Sequence, residues 1–431
     1  MKRRKIPVAL GFALALASPL AAAADETEAL KSEVEQLKAQ NRIIMERLEA
    51  TADMLESMQG GTQMSAAGTS GAGHDHAMLG TGTTMRDRTF GIHGSTGNTT
   101  VGGYGELHYN NWTNKSSDTT AEDVKEIDLH RFILFMGHEF TDRIRFWSEL
   151  EVEHAYVKDT ATGSAPGEVS IEQAFLEFDL TPDLAARAGV LLIPVGFINE
   201  THEPPTFYGV ERPNVEKYII PTTWREGGAG LTGRFGQGFS YDVLGHSGLM
   251  VSASDNYRIR GGRTGAGEAP ADDLAATARL NWAGMPGLQL GVAGQYQSDI
   301  TQGTDPAAGS ATLLSGTLVW QVSRFTLRGL YATWRLSGNG PKGVGADEQT
   351  GWYLEPSWLV TPKLGVFARY SEWDNSVNSP SGPTDYAQID AGFNYWPHEN
   401  VVLKFNYQDQ SAPTATDDEY DGFSLGVGYM F

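Results

Sequence analysis

The sequence predicts an all-β chain, a sixteen-stranded antiparallel transmembrane β-barrel, preceded by a short N-terminal α-helical coiled coil. Three observations carry this. The tail from Asp421 to Phe431 alternates strictly, with Phe423, Leu425, Val427, Tyr429 and Phe431 on one side and Ser424, Gly426, Gly428 and Met430 on the other. An uncapped apolar strand at a chain end invites edge-to-edge aggregation in water, whereas a closed barrel in lipid needs such a strand and leaves no edge. Upstream, strand-length segments repeat from Thr99 onwards, and the connections between them are alternately short and long. Finally, 51 Gly and a large aromatic complement (10 Trp, 16 Tyr, 18 Phe) suit twisted strands with interfacial girdles rather than helices.

The N-terminus comes first. Lys2, Arg3, Arg4 and Lys5 precede an apolar stretch from Ile6 to Leu20, and Ala22, Ala23 and Ala24 precede Asp25, which predicts a secretory signal peptide over 1–24. The apolar stretch is too short to span a bilayer, and no other segment has the roughly 18 apolar residues a transmembrane helix needs. Loss of the four basic residues takes the formal net charge from -21 to -25, which argues against a nucleic-acid partner. With 0 Cys there is neither a disulfide scaffold nor a thiolate metal site.

Over 25–58 a heptad is legible. Thr27, Val34, Asn41, Leu48 and Leu55 form one seam position, and Leu30, Leu37, Ile44, Thr51 and Met58 the other. A seven-residue repeat predicts a left-handed coiled coil between chains, with Asn41 fixing register; an amphipathic helix packed on its own barrel fits the same stripe. The Gly/Thr/Ser-rich stretch over 59–98 cannot bury a core and reads as a flexible linker. Its His74-Asp75-His76 tract could grip a metal weakly, but no further ligands lie nearby, so it reads as an incidental polar tract and no metal or cofactor is expected.

Within 99–431 the alternation and turn signals place strands near 100–112, 127–140, 143–156, 169–180, 184–193, 226–236, 238–249 and 272–282. Eight more fall near 287–298, 310–322, 324–336, 350–360, 363–374, 386–396, 399–410 and 421–431. Short turns such as Thr141-Asp142, Thr181-Pro182-Asp183 and Thr361-Pro362 alternate with long loops, the pattern of periplasmic turns and external loops. An even strand number puts both ends of the barrel on the periplasmic side, so the coiled coil is expected there. A strand of about 12 residues, tilted by roughly 45°, covers about 28 Å of membrane. Trp112, Phe140, Trp282, Trp320, Trp352, Trp358, Trp373 and Trp396 lie near strand ends and are expected in the interfacial girdles.

Charge follows the same alternation. In the third segment Ile144, Phe146, Leu150 and Val152 share one face, and Arg143, Arg145, Trp147, Glu149, Glu151 and Glu153 share the other. An Arg at mid-depth in hydrocarbon costs about 2–4 kcal/mol, so the charged face must look into the lumen. The same parity turns Arg187, Arg234, Arg279, Arg369 and Lys404 inward, together with Glu106, Glu177, Asp179, Glu355 and Asp390. Sixteen strands enclose a width that leaves an aqueous channel, so these charges read as a wetted wall that filters small hydrophilic solutes, with some pairs neutralising one another across it.

The longest loop, 194–225, carries Glu200, His202, Glu203, Tyr208, Glu211, Arg212, Glu216, Lys217, Trp224 and Arg225. Loops this long in compact proteins are functional, and its expected role is to fold inward and narrow the barrel. The stretch from Arg187 to Glu200 with its Pro194-x-Gly196 turn, the segment Val210 to Pro213, and the stretch from Arg225 to Arg234 resemble the phosphate-selective porin O/P family, over roughly 99–431. The coiled coil ahead of the barrel is similar to that of dicarboxylate-type trimeric porins. The resemblance implies a passive outer-membrane channel working as a homotrimer in which each barrel has its own pore. It also implies that Phe431, with Tyr429, is the signal read by the barrel-assembly machinery. The family gathers Lys and Arg at the constriction, whereas this loop sets Glu200, Glu203, Glu211 and Glu216 against Arg212, Lys217 and Arg225. Phosphate and other small solutes are therefore equally open as cargo.

A tether that reaches peptidoglycan through the coiled coil is the alternative role. An enzyme is not expected: His130, His138 and Ser148 are scattered along the sequence and suggest no paired nucleophile and base.

Overall fold

The structure, a computed structural model, describes residues 95–96, 98–118, 120–157, 159–160, 163–164 and 167–431. The signal peptide over 1–24, the coiled coil over 25–58 and all but the end of the linker over 59–98 lie outside the described residues.

Sixteen strands form the wall. They are β1 (Thr99–Asn114), β2 (Val124–Thr141), β3 (Ile144–Glu153), β4 (Val169–Thr181), β5 (Leu184–Leu192), β6 (Arg225–Phe235), β7 (Phe239–His246) and β8 (Ala275–Met285). There follow β9 (Leu288–Gln297), β10 (Ala311–Val322), β11 (Phe325–Leu336), β12 (Glu348–Thr361), β13 (Leu364–Asp374), β14 (Tyr386–His398), β15 (Val401–Ser411) and β16 (Tyr420–Met430). Every strand pairs antiparallel with its sequence neighbour, and β16 returns to β1, with Tyr420 opposite Asn114 and Met430 opposite Tyr104. The ring is closed. Phe431 adds a last rung, its amide and carbonyl exchanging hydrogen bonds with Gly103 at 2.9 and 2.8 Å.

The strand faces follow the alternation that predicted them. In β16, Leu425 and Val427 are exposed on the outside while Ser424 is fully buried within. Phe140, Trp320 and Trp358 are exposed on the outer surface near the short turns, where Phe325 bridges the two Trp rings at 6.2 and 6.5 Å. Three of the expected girdle residues face inward instead. Trp112 donates to Ser424, Trp373 stacks on Tyr218 and Tyr386, and Trp396 lies across Tyr208.

The largest apolar core sits inside the barrel, on the long-loop side. Leu313, Leu330, Trp334, Tyr353 and Trp373 point inward from β10 to β13. Against them pack Ile193, Val195, Val215, Ile219, Ile220 and Trp224 of the β5–β6 loop, Leu249, Val251 and Ile259 of the β7–β8 loop, and Ile300 of the β9–β10 loop. Each large side chain buried in this way contributes about 1.5–3 kcal/mol, so one sector of the lumen is a docking face and not a water-lined wall.

Candidate functional site

The β5–β6 loop is held at its base by two side chains. The Asn199 amide donates to the carbonyls of Ile193 and Trp224 at 2.8 and 2.9 Å and accepts from the Trp224 amide, so one residue ties both ends of the loop together. Glu216, on the short helix α1 (Val215–Tyr218), is buried. It accepts from the amides of Phe197 and Ile198 at 2.8 and 2.7 Å and from the Tyr353 hydroxyl at 2.7 Å. Burial pushes its carboxyl above the ordinary range, against the pull of those donors. The turn that brings the two amides to Glu216 passes through Gly196 at φ +77°, where a Cβ would lie 2.5 Å from the Glu216 carboxylate. The Pro194-x-Gly196 turn thus has a steric reason to carry glycine.

From this base the loop runs across the lumen. His202 meets Glu172 on β4, and its carbonyl accepts from Arg131 on β2 at 2.9 Å. Pro204 lies over Gly428, where a Cβ would come within 2.2 Å of it. Tyr208 stacks on Phe367 at 5.2 Å, the Val210 amide donates to Asn406 at 3.0 Å, and Glu211 accepts from Asn110 at 3.1 Å and lies 3.1 Å from His108. The Ile219 carbonyl accepts from Trp334 at 2.9 Å. The loop therefore lies inside the barrel.

It leaves a passage on one side. A cavity of about 130 Å³ is lined by the loop at Phe197, Glu200 and Thr206 and by inward residues of β3 to β11, among them Arg145, Glu177, Arg187, Asp242, Arg279 and Arg328. The charges here are paired. Arg145 bridges Glu177 at 3.0 Å and also binds Asp179, and Arg187 meets Glu177 at 2.7 Å. Arg279 binds Asp242 at 2.6 Å and Glu200.

The expected wall residues divide into three groups. Arg187, Arg279 and Arg234 border the cavity, Arg234 at its exposed short-turn rim beside Asp183. Glu149, Glu151, Arg369 and Lys404 face inward but are buried, as is Arg145, which also borders the cavity. Arg369 is locked between Glu355 and Asp390 at 3.0 and 3.1 Å and donates to the Tyr208 carbonyl; Lys404 donates to the Gly209 carbonyl at 2.8 Å and lies over the Phe207 ring. Loop docking therefore takes these two out of the open wall. Arg143 departs from expectation for a local reason: it is exposed in the turn before β3 begins at Ile144, where strand alternation does not govern it.

A second charged group adds Arg260 and Arg263, which the sequence did not single out, to the expected Arg212 and Arg225. Arg260 donates to the Lys217 carbonyl and the Thr222 hydroxyl, and Arg212 donates to the Thr223 hydroxyl. The charges of Arg260, Arg225 and Arg212 act on Arg263, which is exposed. Among the described residues, Arg212, Arg260 and Arg263 form no ion pair with a carboxylate, and Arg225 reaches Glu168 at only 3.7 Å. Three arginines within six residues, Arg258, Arg260 and Arg263, were a visible signal in the β7–β8 loop. Lys217 lies over the Tyr218 ring nearby. His130, His138 and Ser148 are not brought together: His130 stacks on His108, His138 meets Thr99, and Ser148 donates to Met136.

Residues 101–431 match the family described as phosphate-selective porin O and P. The chain belongs to this family: it is an outer-membrane porin, a passive diffusion channel. The porin is 33% identical over 359 residues to an uncharacterized protein of Aquifex aeolicus (strain VF5), a match covering 77% of this chain and 79% of that one. Its fold resembles the anion-selective porin from Comamonas acidovorans at 11% identity and a TM-score of 0.54, covering 77% of this chain and 99% of the other. It also resembles the outer membrane channel DcaP of Acinetobacter baumannii at 13% identity and a TM-score of 0.52, covering 78% and 99%. Fold and family point to a channel rather than an enzyme.

Proposed function

We propose that this porin is an anion-preferring channel whose constriction is the inward β5–β6 loop. Solutes pass between that loop and the wall formed by β3 to β11, where the paired charges of Arg145, Arg187 and Arg279 with their carboxylates supply a polar but nearly neutral lining. One observation carries the anion preference. Arg212, Arg260 and Arg263 have no carboxylate partner among the described residues, while the arginines bordering the cavity at the other end have theirs. Positive charge left out of ion pairs raises the local concentration of anions and lowers that of cations. Inorganic phosphate and other small anions are the cargo class this favours, and the barrel acts as a conduit with no chemistry of its own.

Planar-bilayer recordings of the purified porin under a KCl gradient test this. A reversal potential of the sign set by chloride supports the reading, and a cation-selective potential overturns it. The working unit proposed is a homotrimer, with the heptad over 25–58 forming a periplasmic coiled coil that contacts peptidoglycan. Cross-linking of the full chain, compared with a chain lacking 25–58, tests that assembly.

A further inference from the structure

The turn at Asn199–Glu203 meets the wall through side chains that have more acceptors than donors. Glu149 on β3, Glu172 on β4 and His202 on the loop each place a ligand atom so that all three atoms lie within 4.8 Å of one another. All three side chains are buried, Glu172 completely. Glu149 uses one oxygen to accept from Gln173 at 2.8 Å, and Glu172 uses one beside His202 Nε2 at 3.2 Å. The other oxygen of each is buried without a hydrogen-bond partner, as is one oxygen of Glu203, whose charge acts on Glu149.

Facing carboxylates with orphaned lone pairs are costly in a site closed to water, unless a cation or a proton sits between them. The nearby guanidinium groups do not close the cluster: Arg212, whose charge acts on Glu172, forms no ion pair with it and donates to the Thr223 hydroxyl. Arg131 is committed to Glu106 at 2.6 Å and to the carbonyl of His202. The imidazole supplies the second clue. Its Nδ1 lies 3.0 Å from the Asn199 carbonyl, which can only accept, so Nδ1 carries the proton. Nε2 is left to bind a cation or a second proton, and a backbone carbonyl orienting the far nitrogen is the usual support of a metal-ligating histidine.

We propose that Glu149, Glu172 and His202, with Glu203 beside them, hold one divalent metal ion that fastens the inward loop to β3 and β4. Two donors on opposite sides of an ion at about 2.0–2.4 Å are about 4.0–4.8 Å apart, so the cluster has the size of one coordination sphere. Carboxylates mixed with an imidazole suit Mn²⁺ or Zn²⁺ better than Ca²⁺, which takes oxygen ligands throughout. No such expectation arises from the sequence, because the three ligands come from two strands and a loop.

The test uses the full chain, folded in detergent, stripped with EDTA and dialysed free of chelator. Equilibrium dialysis against Mn²⁺, with metal counted by mass spectrometry, should find one equivalent per chain, which Zn²⁺ displaces. The equivalent should be lost in Glu172→Gln and His202→Gln barrels that retain heat-modifiable mobility. It should persist in Asp128→Asn, which disables the other acid–histidine group, Asp128, His130 and His154. Should Glu172→Gln fail to fold, pulsed EPR of Mn²⁺ on the Asp128→Asn chain decides by the presence of one imidazole nitrogen. Stripped wild-type barrels that take up no equivalent would overturn the proposal in favour of a shared proton. An equivalent that survives both substitutions, or one without a nitrogen ligand, overturns it too.

Discussion

Replacing Glu216 by Ala removes the acceptor for three donors at once. One oxygen takes the amides of Phe197 and Ile198 at 2.8 and 2.7 Å, and the other takes the Tyr353 hydroxyl at 2.7 Å. A buried donor left unpaired costs about 1–3 kcal/mol, so three would cost about 3–9 kcal/mol. Two effects offset this. Burying the carboxylate is itself unfavourable by several kcal/mol, and the space left by Ala admits a water that can serve one or two amides. A net loosening of about 2–4 kcal/mol remains, which shifts the ratio of docked to undocked loop by about 30- to 1000-fold. The apolar contacts of Val215, Ile219 and Ile220 with the wall are untouched, so the loop should detach intermittently rather than permanently.

Single-channel recording reads this directly. Wild-type steps should be uniform, whereas Glu216→Ala channels should open to larger and noisier levels. Glu216→Gln keeps one acceptor oxygen and should fall between the two. Gly196→Ala offers an independent route to the same state, since its methyl would sit 2.5 Å from the Glu216 carboxylate and push it off the amides. The strand pairings are distant from all three changes, so heat-modifiable mobility should stay wild type and separate loop release from misfolding. A correctly folded Glu216→Ala porin with wild-type conductance and noise would refute the view that this staple holds the constriction.

Three further outcomes are expected. A unit charge about 7 Å from a permeating ion in water acts with about 0.6 kcal/mol, roughly threefold in local concentration, so the double change Arg260→Gln with Arg263→Gln should lower the anion-to-cation permeability ratio several-fold. The effect should shrink as KCl is raised from 0.1 M to 1 M, because the Debye length falls from about 10 to 3 Å; a salt-independent ratio would count against it. Phe431→Ala should reduce the amount of porin assembled in the membrane, measured by heat-modifiability in outer-membrane fractions, while channels already inserted keep wild-type conductance. Leu425→Arg places a charge on the exposed outer face and should destabilise the folded barrel by about 2–4 kcal/mol in a urea titration from lipid vesicles, whereas Ser424→Ala on the inner face should shift it far less.

The barrel was legible because its signal is local. A period of two is written into each strand, and every expected strand end lies within three residues of the observed one. That alternation also held more than was taken from it. Trp373 shares the parity of Arg369, and Trp396 that of Asp390, so both could have been read as inward when their position near strand ends suggested a girdle. Parity gives direction but not exposure. Arg369 and Lys404 point into the lumen as it requires, yet the carbonyls of Tyr208 and Gly209, nearly two hundred residues away in the chain, cover them. The same limit hid the arginine group, because Arg212 and Arg263 belong to separate loops and the charge of one acts on the other only once both have folded inward. It also hid the Glu149, Glu172 and His202 group, whose members belong to separate elements. The charge that decides selectivity therefore cannot be summed along one loop. The β5–β6 loop alone sets four acids against three bases, but Glu211 is engaged by His108, Glu216 by backbone amides and Glu200 by Arg279, whereas Arg212 meets no carboxylate and Glu203 keeps one oxygen unpaired.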